Sequence, residues 1–131
     1  DRIGQLPIKL KTLKVKTRHL TYIYIRCKNE TAIRRRSAGD IWQGLWEPLL
    51  IENEDIPDLG GKLTLLKQKV KHVLTHRIIY ADFYLLETQI KPQLPEGYLW
   101  IDESEIDNYA LPRLFEILLE QVKSLDVTTL L

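Results

Sequence analysis

The most constraining stretch of this chain runs from Lys67 to Glu87. Up to Leu74 its residues alternate, with Gln68, Val70, His72 and Leu74 on one side and Lys67, Lys69, Lys71 and Val73 on the other. A second run, Ile78 to Leu86, is dense in β-branched and aromatic residues, and Ile79, Ala81, Phe83 and Leu85 share one face. Period-two patterning puts successive side chains on opposite faces of a pleated strand, so two strands are expected, joined at Thr75-His76-Arg77. That tip offers a hydroxyl, an imidazole and a guanidinium with no apolar side chain among them. Exposed tips held by a rigid sheet often carry function. The tip has none of the Gly, Pro, Asn or Asp residues that hairpin turns favour. One long strand interrupted by a bulge is therefore the competing geometry.

At 131 residues the chain is long enough for one domain with a real core and too short for two. Hydrophobic residues make up 44% and charged ones 28%, which excludes wholesale disorder. No apolar run is long enough to span a membrane, and no basic-then-apolar leader is present. The single cysteine, Cys27, cannot form an internal disulfide or a cysteine-based metal site, which fits an intracellular, reducing compartment (cytoplasmic or nucleoid-associated in a bacterium). Methionine is absent, including at position 1, so the expectation is a fragment of a longer polypeptide, monomeric by itself.

The net charge of +1 conceals strong segregation. Residues 1–36 hold eleven Lys or Arg against two acids, residues 37–61 six acids and no base, residues 62–91 six bases against two acids, and residues 92–131 two bases against eight acids. A basic N-terminal third and a basic central hairpin can line a polyanion, or can be solvated strand faces balanced by acidic loops.

Residues 1–17 read as a linker or edge segment, 18–123 as the domain proper, and 124–131 as a fraying tail. Arg18 to Cys27 alternates as a strand, Lys28-Asn29-Glu30 is a turn, and Thr31 to Arg36 returns. Arg34-Arg35-Arg36 is either an edge strand guarded by charge or a phosphate-contacting track, to which Arg34 and Arg36 would point together. Trp42 and Trp46, punctuated by Gly39, Gly44 and Pro48, suggest an ordered loop before a short strand. Glu52 to Gly61 is an acidic loop and Lys91 to Gly97 another. Tyr98 to Ile101 is a short strand, and Asp102 with Glu105 has capping-box spacing for a short helix. Pro112 suits a first helical position, after which Leu114, Phe115, Leu118, Leu119, Val122 and Leu125 follow the spacing of a helix with one buried face. The class is α+β: a mixed or antiparallel sheet with one or two packed helices, one of them C-terminal.

Three segments together resemble one family. Ile41-Trp42-Gln43-Gly44-Leu45-Trp46-Glu47-Pro48 is similar to the Gly-Leu-Trp-Glu-Phe-Pro signature of Nudix-type domains. His72-Val73-Leu74-Thr75-His76 resembles the His-x-Phe-Ser-His element in the C-terminal domain of MutY-type adenine DNA glycosylases. Tyr98-Leu99-Trp100-Ile101 with Tyr109-Ala110-Leu111-Pro112 resembles that domain's closing Trp strand and Ala-Leu-Pro helix start. Two departures stand out: the Phe after Glu47 is missing, and the triplet reads Leu74-Thr75-His76 in place of Phe-Ser-His.

The resemblance implies a Nudix-like fold. It also implies a noncatalytic role in base excision repair, namely reading 8-oxoguanine opposite a mispaired adenine in double-stranded DNA. Adenine excision would belong to an N-terminal domain of the same polypeptide, carrying a [4Fe-4S] cluster on four cysteines; one cysteine cannot hold such a cluster here. The implied lesion-binding residues are Leu74, Thr75, His76 and Arg77, with Lys67, Lys69, Lys71, Arg34 and Arg36 as phosphate contacts. No metal and no cofactor are expected in this fragment. A protein-interaction module, docking a partner through the Trp42/Trp46 loop and the acidic segments, is the alternative.

The chemistry at the tip follows from the residue types. Guanine N7 is an acceptor, whereas the 8-oxo form carries a hydrogen there and an oxygen on C8, so donor and acceptor exchange along that edge. A hydroxyl is both donor and acceptor, so Thr75 can accept from N7–H or donate to O8. One good base-edge contact discriminates by about 1–3 kcal/mol. On the residues alone, an ordinary polar turn remains a fair reading. Nucleotide hydrolysis by a Nudix-type domain needs a Gly, five residues, a Glu, then Arg-Glu and Glu-Glu pairs gathering Mg²⁺. Six positions after Gly39, Gly44, Gly60 and Gly61 stand Leu45, Leu50, Leu66 and Lys67, and neither dipeptide occurs. Hydrolysis is therefore not expected.

Overall fold

The computed structural model describes residues 16–130, with the backbone alone at positions 129 and 130. The segment 1–15, most of the expected linker, lies outside the described residues. Seven strands follow one another: β1 (Lys16–Cys27), β2 (Glu30–Arg35), β3 (Trp46–Glu47), β4 (Leu49–Ile51), β5 (Lys62–Leu74), β6 (Arg77–Thr88) and β7 (Leu99–Asp102). A 3-10 segment (Glu103–Asn108) and helix α1 (Arg113–Leu130) complete the chain. The strands form one mixed sheet in the order β3-β2-β1-β6-β5, with β4 added to β1 and β7 to β2. The two central strands, β1 and β6, run parallel in unbroken register from Lys16↔Arg77 to Cys27↔Thr88, and every other pairing is antiparallel. This is the α+β arrangement expected.

Burial follows the patterning. Ile79, Ala81, Phe83 and Leu85 of β6 and Leu20, Tyr22 and Tyr24 of β1 face one side, where Leu114, Phe115, Leu118, Leu119 and Val122 of α1 close over them. On the opposite side Ile23, Ile25 and Leu86 pack with Leu49 and Ile51 of the neighbouring β4, and Ile56, Leu59, Tyr98 and Trp100 pack against them. Covering both faces explains why burial in the middle of β1 is continuous from Tyr22 to Ile25, whichever face each residue takes. Gly61 opens β5 at a positive φ of 69°, and a Cβ there would stand 2.3 Å from the Glu87 carbonyl oxygen, so only glycine lets the incoming loop meet β6 this closely.

Several expectations shift. Lys16 and Thr17 belong to β1, not to a linker, because Arg77 and Ile78 of β6 pair with them. β2 is no edge strand, since β1, β3 and β7 all bond to it. Asp102 caps the 3-10 segment through Ser104, whose N–H it accepts at 2.9 Å, without the Glu105 return of a capping box. Pro112 stands one position ahead of α1 and supplies its carbonyl to the N–H groups of Phe115 and Glu116. Helix α1 continues past Lys123 to Leu130, and Arg26 of β1 pairs with Asp126 near its end through two contacts at 3.0 Å.

Candidate nucleic-acid interface

β5 and β6 form the expected hairpin, with Leu74 opposite Arg77 and Thr75-His76 as the two-residue turn. Neither turn residue has a positive φ. The primed turns that require Gly or Asn are therefore not used, which accounts for a tip without either. Thr75 and His76 are exposed and Arg77 is half-buried. The His76 carbonyl accepts from the Lys16 N–H at 3.2 Å, tying the turn to β1.

The long strand with a bulge that competed with a turn at 75–77 is not adopted there, and a separate bulge lies lower in β5. Its register slips between Leu65 and Val70, Lys69 takes a φ of 54°, and the freed Lys69 N–H donates to Asp82 Oδ1 at 2.8 Å. The extra residues turn Gln68 outward with its lysine neighbours, against the strict alternation expected. Lys67, Lys69 and Lys71 are all exposed, and none makes an ion pair among the described residues. Leu74, one of the residues expected at the lesion, is half-buried and packs with Leu66 and Val70 against the main core.

The arginine triplet behaves differently from the lysines. Arg36 is 6% exposed and Glu47 1%. The Arg36 guanidinium donates to Glu47 Oε1 at 2.6 Å, to the Ile41 carbonyl at 2.8 Å and to Asp40. Tyr22 Oη adds a donation to Glu47 at 3.1 Å and Arg34 another at 3.3 Å, while Arg18 bridges Asp40 and Glu52. Glu47 is thus a buried carboxylate with three donors, the condition under which such a charge is tolerated. Burial, reinforced by the Glu47 charge, pushes the Tyr22 hydroxyl well above the usual tyrosine range, and the Arg18 hydrogen bond holds Asp40 below the usual carboxylate range. Arg34 also lies over the Tyr98 ring at 4.9 Å. Arg36, expected at the phosphate track, is consumed inside this network, and Arg34 is largely engaged by it. These side chains line a polar cavity of about 270 Å³ with Arg35, Ser37 and Leu50. The Glu47 hub was missed from sequence; a lone Glu beside a Trp, following three arginines, was the available signal.

The two tryptophans are turned inward too. Trp42 meets His72 edge-on at 5.7 Å and Trp46 meets Tyr109 edge-on at 5.0 Å. The Trp46 N–H also donates to the Ala110 carbonyl at 2.9 Å. The loop that the alternative reading would use to dock a partner also joins β5 to the start of α1. Through these contacts the three family-like segments meet, and the hairpin carrying Thr75 is braced from below.

Comparisons place this geometry. The NUDIX domain model matches residues 21–121. No significant match was found among curated proteins. Among solved structures the chain is similar to the C-terminal domain of mouse MUTYH in its complex with human PCNA, with 14% identity over 81% of this chain and 87% of that one and a TM-score of 0.63. It is similar to the E. coli ORF135 protein, with 16% identity over 98% and 97% and a TM-score of 0.62. A MutT NUDIX hydrolase from Burkholderia pseudomallei gives 18% identity over 82% and 98% and a TM-score of 0.62. At such identities these likenesses concern the fold alone, but the family model spans most of the described strands and much of the closing helix: the chain belongs to the NUDIX domain family.

Proposed function

We propose that this domain reads 8-oxoguanine opposite a mispaired adenine, as the noncatalytic recognition part of a MutY-type adenine DNA glycosylase. The observation that carries the reading is the exposed Thr75-His76 tip, held at the end of a long hairpin whose β5 strand carries three exposed lysines with no ion pair among the described residues, and braced by the other two family-like segments. Thr75 presents the hydroxyl that distinguishes N7–H and O8 from an ordinary guanine edge, and His76 donates to a base or phosphate. Lys67, Lys69 and Lys71, with Arg77, supply sequence-blind attraction to the duplex. Excision falls to the N-terminal domain of the parent polypeptide, with its [4Fe-4S] cluster.

The fold is shared with MUTYH and MutT proteins alike, so the residues must separate the readings. Glu47 and Glu52, which could otherwise serve a metal-dependent hydrolase, are paired with arginines. Among the described residues, no three His, Cys, Asp or Glu side chains gather where they could hold a metal ion. The missing Gly-x5-Glu, Arg-Glu and Glu-Glu pattern, together with the arginine pairing of Glu47 and Glu52, favours recognition over hydrolysis. The test is the double variant T75A/H76A in the full-length parent. Its preference for 8-oxoguanine·adenine over guanine·adenine pairs should fall about ten- to a hundredfold. Unchanged discrimination, or Mg²⁺-dependent hydrolysis of a nucleoside triphosphate by the domain, would replace this reading.

A further inference from the structure

The face of the sheet opposite α1 is covered at one end and bare at the other. At the Cys27 end of β1 it carries Ile23, Ile25 and Leu86, flanked on the same face by Leu49 and Ile51 of β4 and packed against loop residues Ile56 and Leu59. Toward the Lys16 end the same face continues with no such cover among the described residues. Cross-strand partners share a face, and the register sets them in two rows. One row is His19, Tyr80 and Lys71, and the other is Thr17, Ile78 and Val73. Their exposure agrees: Thr17, His19, Lys71 and Val73 are exposed, Val73 at 65%, and Tyr80 and Ile78 are half-buried. His19 and Tyr80 stack, with ring centroids 5.5 Å apart and planes 21° from parallel. Lys71 stands directly across from Tyr80, and Lys69 lies further along the same strand. Asp82 is turned to the Lys69 backbone N–H.

An aromatic pair standing out of a rigid sheet, cushioned by Ile78 and Val73 and flanked by exposed lysines that have no ion pair among the described residues, has two properties of a surface that takes unpaired bases. Any base can stack on a ring, and the backbone phosphates follow the cations. Two-sided burial would have explained these rings; at this end of the face no such cover exists among the described residues. We infer that the bare half of this face is a stacking platform for single-stranded DNA, centred on Tyr80 and His19 with Lys71 and Lys69 holding the phosphates. The platform is separate from Thr75, which lies at the turn itself, so it does not rest on lesion reading; it shares with the proposed function only Lys69 and Lys71, whose attraction for phosphate is the same for either strand form. A domain with both features would engage an unpaired strand next to the duplex that its tip inspects.

Binding of a fluorescent dT oligonucleotide of about twelve residues to the whole chain tests this, followed by anisotropy. Wild type should bind with a marked dependence on salt, Tyr80→Ala should bind about tenfold more weakly, and Tyr80→Phe, which keeps the ring, should bind as wild type. His19→Ala, at an exposed position, gives the same readout should Tyr80→Ala lose its melting transition, and is expected to weaken binding several-fold. The double variant T75A/H76A should leave dT binding unchanged. The inference is overturned if wild type does not bind dT, if Tyr80→Phe loses as much as Tyr80→Ala, or if only the tip variant lowers binding. Failure here leaves the 8-oxoguanine preference untouched, and failure there leaves dT binding untouched.

Discussion

Two clusters of positive charge stand out in this chain, and the fold treats them in opposite ways. Arg34 and Arg36 point into the protein, against Glu47, Asp40 and Tyr22, while Lys67, Lys69 and Lys71 are exposed along β5 with no ion pair among the described residues. The chemistry of the heads suits this division. A guanidinium offers a planar fork of donors that can satisfy a buried carboxylate from several directions, whereas an ammonium is a compact, strongly hydrated charge that resists burial. A run of basic residues is therefore no interface by itself; what matters is whether the acids of the same chain reach it first.

The comparison breaks most visibly at Glu47. Glu47→Ala removes the acceptor of Arg36 and Tyr22, leaving a charge that is almost fully buried with Asp40 as its remaining ionic partner. A loss of about 3–5 kcal/mol of stability is expected in denaturant unfolding. Replacing Lys67, Lys69 and Lys71 together by Gln should change stability by no more than about 0.5 kcal/mol in the same measurement, since exposed charges contribute little. A triple variant as destabilised as Glu47→Ala would erase the distinction.

The lysines should show themselves in binding instead. If all three meet phosphates, the slope of log Kobs against log salt for duplex DNA should become shallower by about 2.7 in the triple Gln variant, from about 0.9 per contact. An unaltered slope would return these lysines to the role of solvated edge protection.

The smallest expected effect is acid sensitivity. Asp40, held by Arg18 below its ordinary range, contributes stability that is fully present above the unfolded carboxylate value of about 3.9 and is lost as pH falls from there toward its depressed folded value. Asp40→Asn should therefore be less stable than wild type at neutral pH and converge on it as pH falls below about 4, measured by urea midpoints across that range. A constant difference across the range would mean that Arg18 does not hold the ionised form.

How far the fold could be read from the residues depended on how local each signal was. The apolar stripes of β6 and α1 were legible because one strand face and one helix face meet the same core, so Ile79, Phe83, Leu114 and Leu118 announce themselves by spacing alone. Gln68 was misplaced because a bulge answers to a partner strand: the slip at 65–70 is stabilised by Asp82, a residue of the opposite strand. The arginine triplet was misjudged as an edge because β7 and β3, which flank β2, come from later in the chain. The site was legible in part. The hairpin and its polar tip followed from alternation, but the inward turn of Leu74, Trp42 and Trp46 did not, since a half-buried residue and a contact residue look alike in sequence.

By itself, the amino-acid order determined the element types, the core faces of β6 and α1, and the place of the exposed turn at Thr75-His76, because alternation and helical spacing are properties of neighbouring residues. Only tertiary structure decided which cations are spent and which stay exposed, and which half of the sheet stays bare. Those outcomes depend on what distant segments bring to the same point in space: the Glu47 carboxylate beside Arg36, and cover for Ile23 but none for His19 among the described residues.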